Sequence, residues 1–278
     1  MEFAFSNHLK LDQTKVLRNM NKFRTGSEYE PLINEDPSPS RIVISFSKIA
    51  WFTVSMPFFA FAFCILYSVL YNFESATSTH CKVYNILPSV SAAIGHYKPQ
   101  RDVWRAAIAT QAVIRAIILS MYYHYYTNVV YNWAQGIKNF ALISYGIENT
   151  ALVTLSFWSS NENYAFHKLS FITFLIMALV HMSLAWYISK HCRASAKDHS
   201  ETTSQRWKTR SLILNVASIF AACYFFWRHN AYCEPFVYSM FAMCEYMVVL
   251  SNMGFHVTAA WDFAGRSLML SMHGIRII

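Results

Sequence analysis

The stretch "RHNAYCEPFVYSMFAMCEYMVVLSNMGFHVTAAWDF", residues 228–263, is apolar enough over most of its length to lie in lipid, yet it carries Glu245, Asn252 and His256 inside the apolar run. Polar groups are costly in hydrocarbon, so each one kept there calls for a partner or a function. The rest of the chain shares this character. Of its 278 residues 55% are hydrophobic and 17% aromatic, and only 14% are charged, against roughly 25% charged in ordinary soluble domains. A transmembrane helix needs about 20 mostly apolar residues. Six segments qualify, at about 49–71, 103–126, 140–158, 169–189, 211–227 and 236–258. The expected fold is an all-α polytopic membrane bundle of six helices.

Little chain is left for anything else. Residues 1–46 are polar and end near "PLINEDPSPS", whose prolines, acidic residues and serines read as a flexible segment. Residues 47–263 form the membrane domain, and 264–278 a short tail. The first apolar run begins too far in, and is too long, for a cleavable signal peptide.

Charge placement predicts orientation. The segment 189–210 carries Lys190, Arg193, Lys197, Arg206, Lys208 and Arg210, far more than 159–168 or 228–235. Short basic loops stay cytoplasmic, so both termini are expected there, with 72–102, 159–168 and 228–235 lumenal. The net charge of +8 then reflects topology and contact with anionic lipid. The basic residues flank helices and form no nucleic-acid module. Of the six cysteines only Cys81 and Cys233 fall in lumenal loops, where disulfides are permitted; spacing alone leaves their pairing open.

At about 100° per residue, Glu245, Asn252 and His256 share one face of the last helix. Gln111, Arg115 and Tyr122 share a face of the second, the third offers Glu148 with Asn149, the fourth His181, and the fifth Asn215 with Ser218. An ion pair of Arg115 with Glu148 or Glu245 that merely holds helices together is the plain alternative to a working site, and a lone His181 reads as a buried hydrogen-bonding residue. Together the polar groups point to an interior cavity. A His with a Glu supplies a general acid and base, an Asn can donate to an oxyanion, and an Arg fork matches a phosphate. No nucleophile elbow, zinc helix or glycine-rich phosphate loop occurs; His256 and Asp262 are one residue too far apart for the His-x4-Asp pattern of glycerolipid acyltransferases.

The segments "LPSVSAAIG" (87–95), "PQRDVWR" (99–105), "ENTALVTLSFWSS" (148–160), "RHNAYCE" (228–234) and "EYMVVLSNMGFHVTAAWDF" (245–263) resemble the post-GPI attachment to proteins factor 2 family over residues 49–263. The resemblance implies a multi-pass protein of Golgi and endoplasmic reticulum membranes. It acts there in lipid remodelling of glycosylphosphatidylinositol (GPI) anchors, where a lyso-GPI is reacylated with a saturated chain. On that reading His256, Glu245 and Asn252 are the catalytic candidates. Arg105, Arg115, Glu148, Arg228 and His229 are the candidates to contact the lipid head group, and no metal is called for. The GPI lipid is the partner, alongside membrane lipids and other remodelling enzymes; no cofactor is implied beyond an acyl-CoA as donor. A non-catalytic factor that presents the lipid to a separate acyltransferase is the alternative. Cys81 and Cys233, the two lumenal cysteines and both within the resembling stretch 49–263, are expected to pair. One departure stands out: where the family pattern has a His followed by "SAPR", this chain has "QAVIR", with Gln111 in the His position and Arg115 retained.

Overall fold

The computed structural model describes residues 42–95, 97–160, 162–193, 198–271 and 274–277. The expected N-terminal segment lies almost wholly outside them. The described residues between 43 and 270, with 275–277, make one compact unit, built from six long helices: α1 (Phe46–Tyr71), then α4 (Gln100–Val129), α5 (Gln135–Phe157), α6 (Tyr164–His191), α7 (His199–Tyr232) and α8 (Val237–His256). Between α1 and α4 come the short helices α2 (Phe73–Thr77) and α3 (Val90–Gly95), and α9 (Ala259–Asp262) follows α8. Three short strands, β1 (Ile42–Ser45), β2 (Ser267–Ser271) and β3 (Gly274–Ile277), pair in that order.

This is a polytopic membrane protein. Among the described residues five helices are long and apolar enough to cross a bilayer: α1, α4, α5 with the preceding 3₁₀ turn, α6 and α7. The burial pattern suits lipid on the outside. Phe59, Leu66, Ile213 and Phe220 are exposed, while Arg115, Glu148, Asn215 and Lys208 are buried. Alanines at the contacts, among them Ala60, Ala107, Ala178 and Ala242, are buried, and such small residues let helix backbones approach closely. The helices pack chiefly as three pairs, α1 with α4, α5 with α6, and α7 with α8.

Helix boundaries depart from expectation chiefly at α7. The basic segment 189–210 is not a loop throughout, because α7 starts at His199, where the Asp198 carboxylate accepts from the His199 amide. It runs on to Tyr232 and takes up most of the expected loop 228–235. At about 1.5 Å per residue its 34 residues reach beyond a hydrocarbon core of about 30 Å. The turn into α8 uses two left-handed residues, Cys233 and Phe236, which non-glycine residues adopt only when their surroundings hold them. A disulfide from Cys233 to Cys81 does so here, and the Phe236 amide donates to the Tyr84 carbonyl. The chain around Cys81 and Tyr84 thus lies against the α7–α8 turn, here called the disulfide end; the opposite end carries Lys190, Arg193, Arg206 and Lys208.

Candidate functional site

Near the middle of the bundle α4, α5, α6 and α8 each aim one or two polar side chains at a common point. Its centre is Glu148, fully buried on α5. Arg115 Nη2 donates to Glu148 Oε1 at 2.8 Å, Asn252 Nδ2 donates to the same oxygen at 3.2 Å, and His256 Nε2 lies 2.8 Å from it. His181 Nδ1 is 3.0 Å from the other oxygen. Tyr145, one turn before Glu148, stacks against His181 at 4.5 Å and against His256 at 5.2 Å between ring centroids. The Arg115 guanidinium sits 5.0 Å over the same tyrosine ring. Tyr145 and His181 thereby hold the rings that Glu148 orients.

His256 has a particular freedom. Its Nε2 is 2.8 Å from Glu148 Oε1 and 2.9 Å from Arg115 Nη2. Protonated, that nitrogen donates to the carboxylate; unprotonated, it accepts from the guanidinium. Nε2 has a partner in either state, so that nitrogen can gain or lose a proton without being stranded. A cavity of about 10 Å³ beside it is lined by Tyr122, Tyr145, His181, Lys208 and His256 among others, room for about one water. On the outer side of α5 a groove of about 460 Å³ runs between α5 and α6, lined by Ile143, Gly146, Ile147, Thr150, Leu169 and Ser170 among others.

Glu148, His181 and His256 also offer three ligand atoms within 4.8 Å of one another. Arg115 Nη2 already bonds the Glu148 oxygen and touches His256 Nε2. A dication would have to displace that guanidinium or sit against its positive charge, so the donor set fits a hydrogen-bonded ion pair better than a metal.

Of the residues singled out in the sequence, Asn252, His256, Arg115 and Glu148 meet here. Glu245 does not join them. Its Oε2 accepts from the Val90 amide at 2.9 Å, at the start of α3, and eleven residues of helix put it about 16 Å along the axis from His256. The expected contact between Glu245 and His256 is therefore absent, because a shared angular face fixes direction and not depth. Arg105 is occupied at the disulfide end, donating to the Ser156 and Phe157 carbonyls and to Glu162 Oε2 at 2.9 Å. The Ser159 amide, then Arg105, hold the Glu162 carboxyl below its ordinary range. Arg228 forks onto Glu234, with Nε to Oε2 at 2.6 Å and Nη2 to Oε1 at 3.1 Å. His229 is buried near Cys81, whose Sγ is bonded to that of Cys233. Gln111 is buried on the face of α4 that carries Arg115.

A second polar group was missed by sequence reading. Lys208 Nζ donates to Ser204 Oγ at 3.0 Å and to the Asp262 carboxylate, which also accepts from Tyr122 at 2.6 Å and Ser204 at 2.6 Å. Burial pushes the Asp262 carboxyl up, but Lys208 and these two hydroxyls outweigh it and hold it below its ordinary range. Lys208 had read as one more topological charge, and nothing in its spacing signalled a partner 54 residues on.

The domain model described as Frag1/DRAM/Sfk1/Cwh43P N-terminal domain matches residues 45–265. A protein from Xenopus tropicalis named "Acyltransferase PGAP2" is 40% identical over 252 residues, 88% of this chain and 98% of its own. One from Drosophila pseudoobscura pseudoobscura named "Post-GPI attachment to proteins factor 2" is 37% identical over 248 residues, 89% of this chain and 96% of its own. "Protein cwh43" of Schizosaccharomyces pombe is 25% identical over 190 residues, 18% of its length. No solved structure matches the chain.

Proposed function

The chain belongs to the post-GPI attachment to proteins factor 2 family, and from that premise we propose that it acts in GPI-anchor maturation in a secretory-pathway membrane, as the acyltransferase that returns a saturated chain to lyso-GPI. The family supports the pathway, and the printed name of the frog relative supports the reaction class. The observation that carries the catalytic reading is the histidine whose Nε2 lies within hydrogen-bond reach of both a buried carboxylate and a guanidinium.

In this reading the free hydroxyl of lyso-GPI attacks the thioester carbonyl of an acyl-CoA. His256 takes the hydroxyl proton and passes from its Arg115 partner to its Glu148 partner. Arg115, freed from the ring, and Asn252 donate to the oxyanion. Collapse breaks the C–S bond, and the departing thiolate takes the proton from His256 as CoA-SH. Glu148 holds the rings and stays ionised. The acyl chain lies in the groove between α5 and α6, and the small interior cavity opens to admit the reacting atoms.

Purified protein supplied with palmitoyl-CoA and lyso-GPI tests this by mass spectrometry. The wild type is expected to transfer the chain, and His256→Ala to lose at least about 100-fold, the usual range for a general base. Binding of lyso-GPI with no transfer from any donor would replace the enzyme with a lipid-presenting factor.

A further inference from the structure

The disulfide end holds a second group of reactive side chains, independent of the proposed acyl transfer. His229, in the last turn of α7, is 1% exposed, and neither of its ring nitrogens has a hydrogen-bond partner. A buried polar atom without a partner is costly, so two on one ring need a reason. Its ring neighbours are Tyr238, at 4.9 Å between centroids, and the edge of His80, at 5.5 Å. One nitrogen of His229, one of His80 and Cys81 Sγ all lie within 4.8 Å of one another. Cys81 Sγ is 3.3 Å from His80 Nε2 and is bonded to Cys233. Two imidazoles and the Cys81 sulfur therefore gather here, with Cys233 Sγ attached to that sulfur and His80 exposed at the mouth.

We propose that this corner is a Cys₂His₂ zinc site held latent by the Cys81–Cys233 disulfide. Disulfide sulfurs are poor metal ligands and thiolates are strong ones. A dithiol reductant transfers two electrons and two protons to the disulfide and leaves as its own disulfide. Zn²⁺ then displaces the two thiol protons and remains Zn²⁺ throughout. Zinc takes sulfur at about 2.3 Å and imidazole nitrogen at about 2.0–2.1 Å in a tetrahedron, so two ligand atoms on one ion lie about 3.3–3.8 Å apart. The three atoms now within 4.8 Å of one another must close by about 1 Å to reach that spacing, and Cys233 Sγ, released from Cys81 by reduction, must swing in as the fourth ligand. The donor set of nitrogen and sulfur selects zinc over calcium or magnesium, which require oxygens. The bound ion partners one ring nitrogen of His229 and replaces the crosslink that reduction opens, so the chain around Cys81 stays tied to the α7–α8 turn.

The test uses the full-length protein in detergent, oxidised or reduced with dithiothreitol and then freed of it under argon. Zinc is titrated against a chromophoric chelator while alkylation of each cysteine is followed by mass spectrometry. The reduced protein is expected to bind one zinc that protects Cys81 and Cys233, and the oxidised protein to bind at least 100-fold more weakly. His80→Ala and His229→Ala should each lower the affinity at least 10-fold; His80 is exposed, so its variant carries the test if His229→Ala misfolds. Zinc taken up by Cys64, Cys192, Cys223 or Cys244 would show as protection of those thiols with Cys81 and Cys233 still reactive, which overturns the proposal. Equal zinc affinity in the oxidised form, or wild-type affinity in the His80 variant, overturns it as well.

Discussion

Glu148 is the most heavily committed side chain of the bundle, and removing its charge has a consequence separate from catalysis. Arg115 is buried and depends on it. Breaking a buried pair by deleting one partner typically costs about 3–5 kcal/mol, because the other charge is stranded, whereas replacing both with apolar residues is often close to neutral. Glu148→Gln is therefore expected to lower the thermal midpoint in detergent strongly, and the double substitution Glu148→Met with Arg115→Met to recover most of the loss. A double variant less stable than the single would rule out this ion-pair account. Part of the cluster was legible in advance. Helical spacing put Asn252 and His256 on one face, and the cost of charge in lipid marked Arg115 and Glu148. The same spacing misassigned Glu245, since periodicity reports an angle while Glu245 differs from Asn252 by two turns of depth. His181 read as a hydrogen-bonding residue, and it does bond Glu148, but nothing local announced which carboxylate it would meet.

Among the elements, α7 shows where hydropathy stops being informative. Apolar content marks the part of a helix that lies in lipid and misses its polar extension, so 199–210 read as loop. That extension carries Lys208 to Asp262, just beyond α8, and the pair fastens the basic ends of α7 and α9. The sign of its pH dependence follows from Asp262. A carboxyl held below its ordinary value, near 3.8, adds stability that is fully present above that value and is lost as pH falls through the lower folded one. The difference in thermal midpoint between wild type and Asp262→Asn should thus stay constant from about pH 5 to 8 and shrink below about pH 4. A gap that widens on acidification would contradict the assignment. Packing between α7 and α8 sets a further limit. A Cβ at Gly254 would sit 3.2 Å from Ser211 Oγ, so Gly254→Val is expected to cost about 1–3 kcal/mol by overpacking, measurable by the same thermal assay.

For the whole molecule the open point is whether α8 crosses the bilayer. It is the one long helix not among the five that are long and apolar enough to span, and Glu245, Asn252 and His256 are the reason, since each lowers its hydropathy. All three are turned to protein partners rather than to lipid: Val90, Glu148 and the Arg115 pair. Its 20 residues measure about 30 Å, the thickness of a hydrocarbon core. Crossing by α8 makes six spans and puts both ends of the chain on one side; without it there are five, and the ends face opposite sides. The disulfide precedes α8 and lies on the same face with either count, but β1, before α1, pairs with β2, after α8, and the Phe46 amide donates to the Arg266 carbonyl, which places the two flanks at one end as six crossings require. Epitope tags decide the matter in cells whose plasma membrane alone is permeabilised. Tags at residue 30, beside residue 196 and after Ile278 are all expected to be reached by antibody, and a tag beside Gly95 only after the internal membranes are opened. Protection of the tag after Ile278 while that at residue 30 is reached would establish five crossings and leave α8 within the bundle without traversing it.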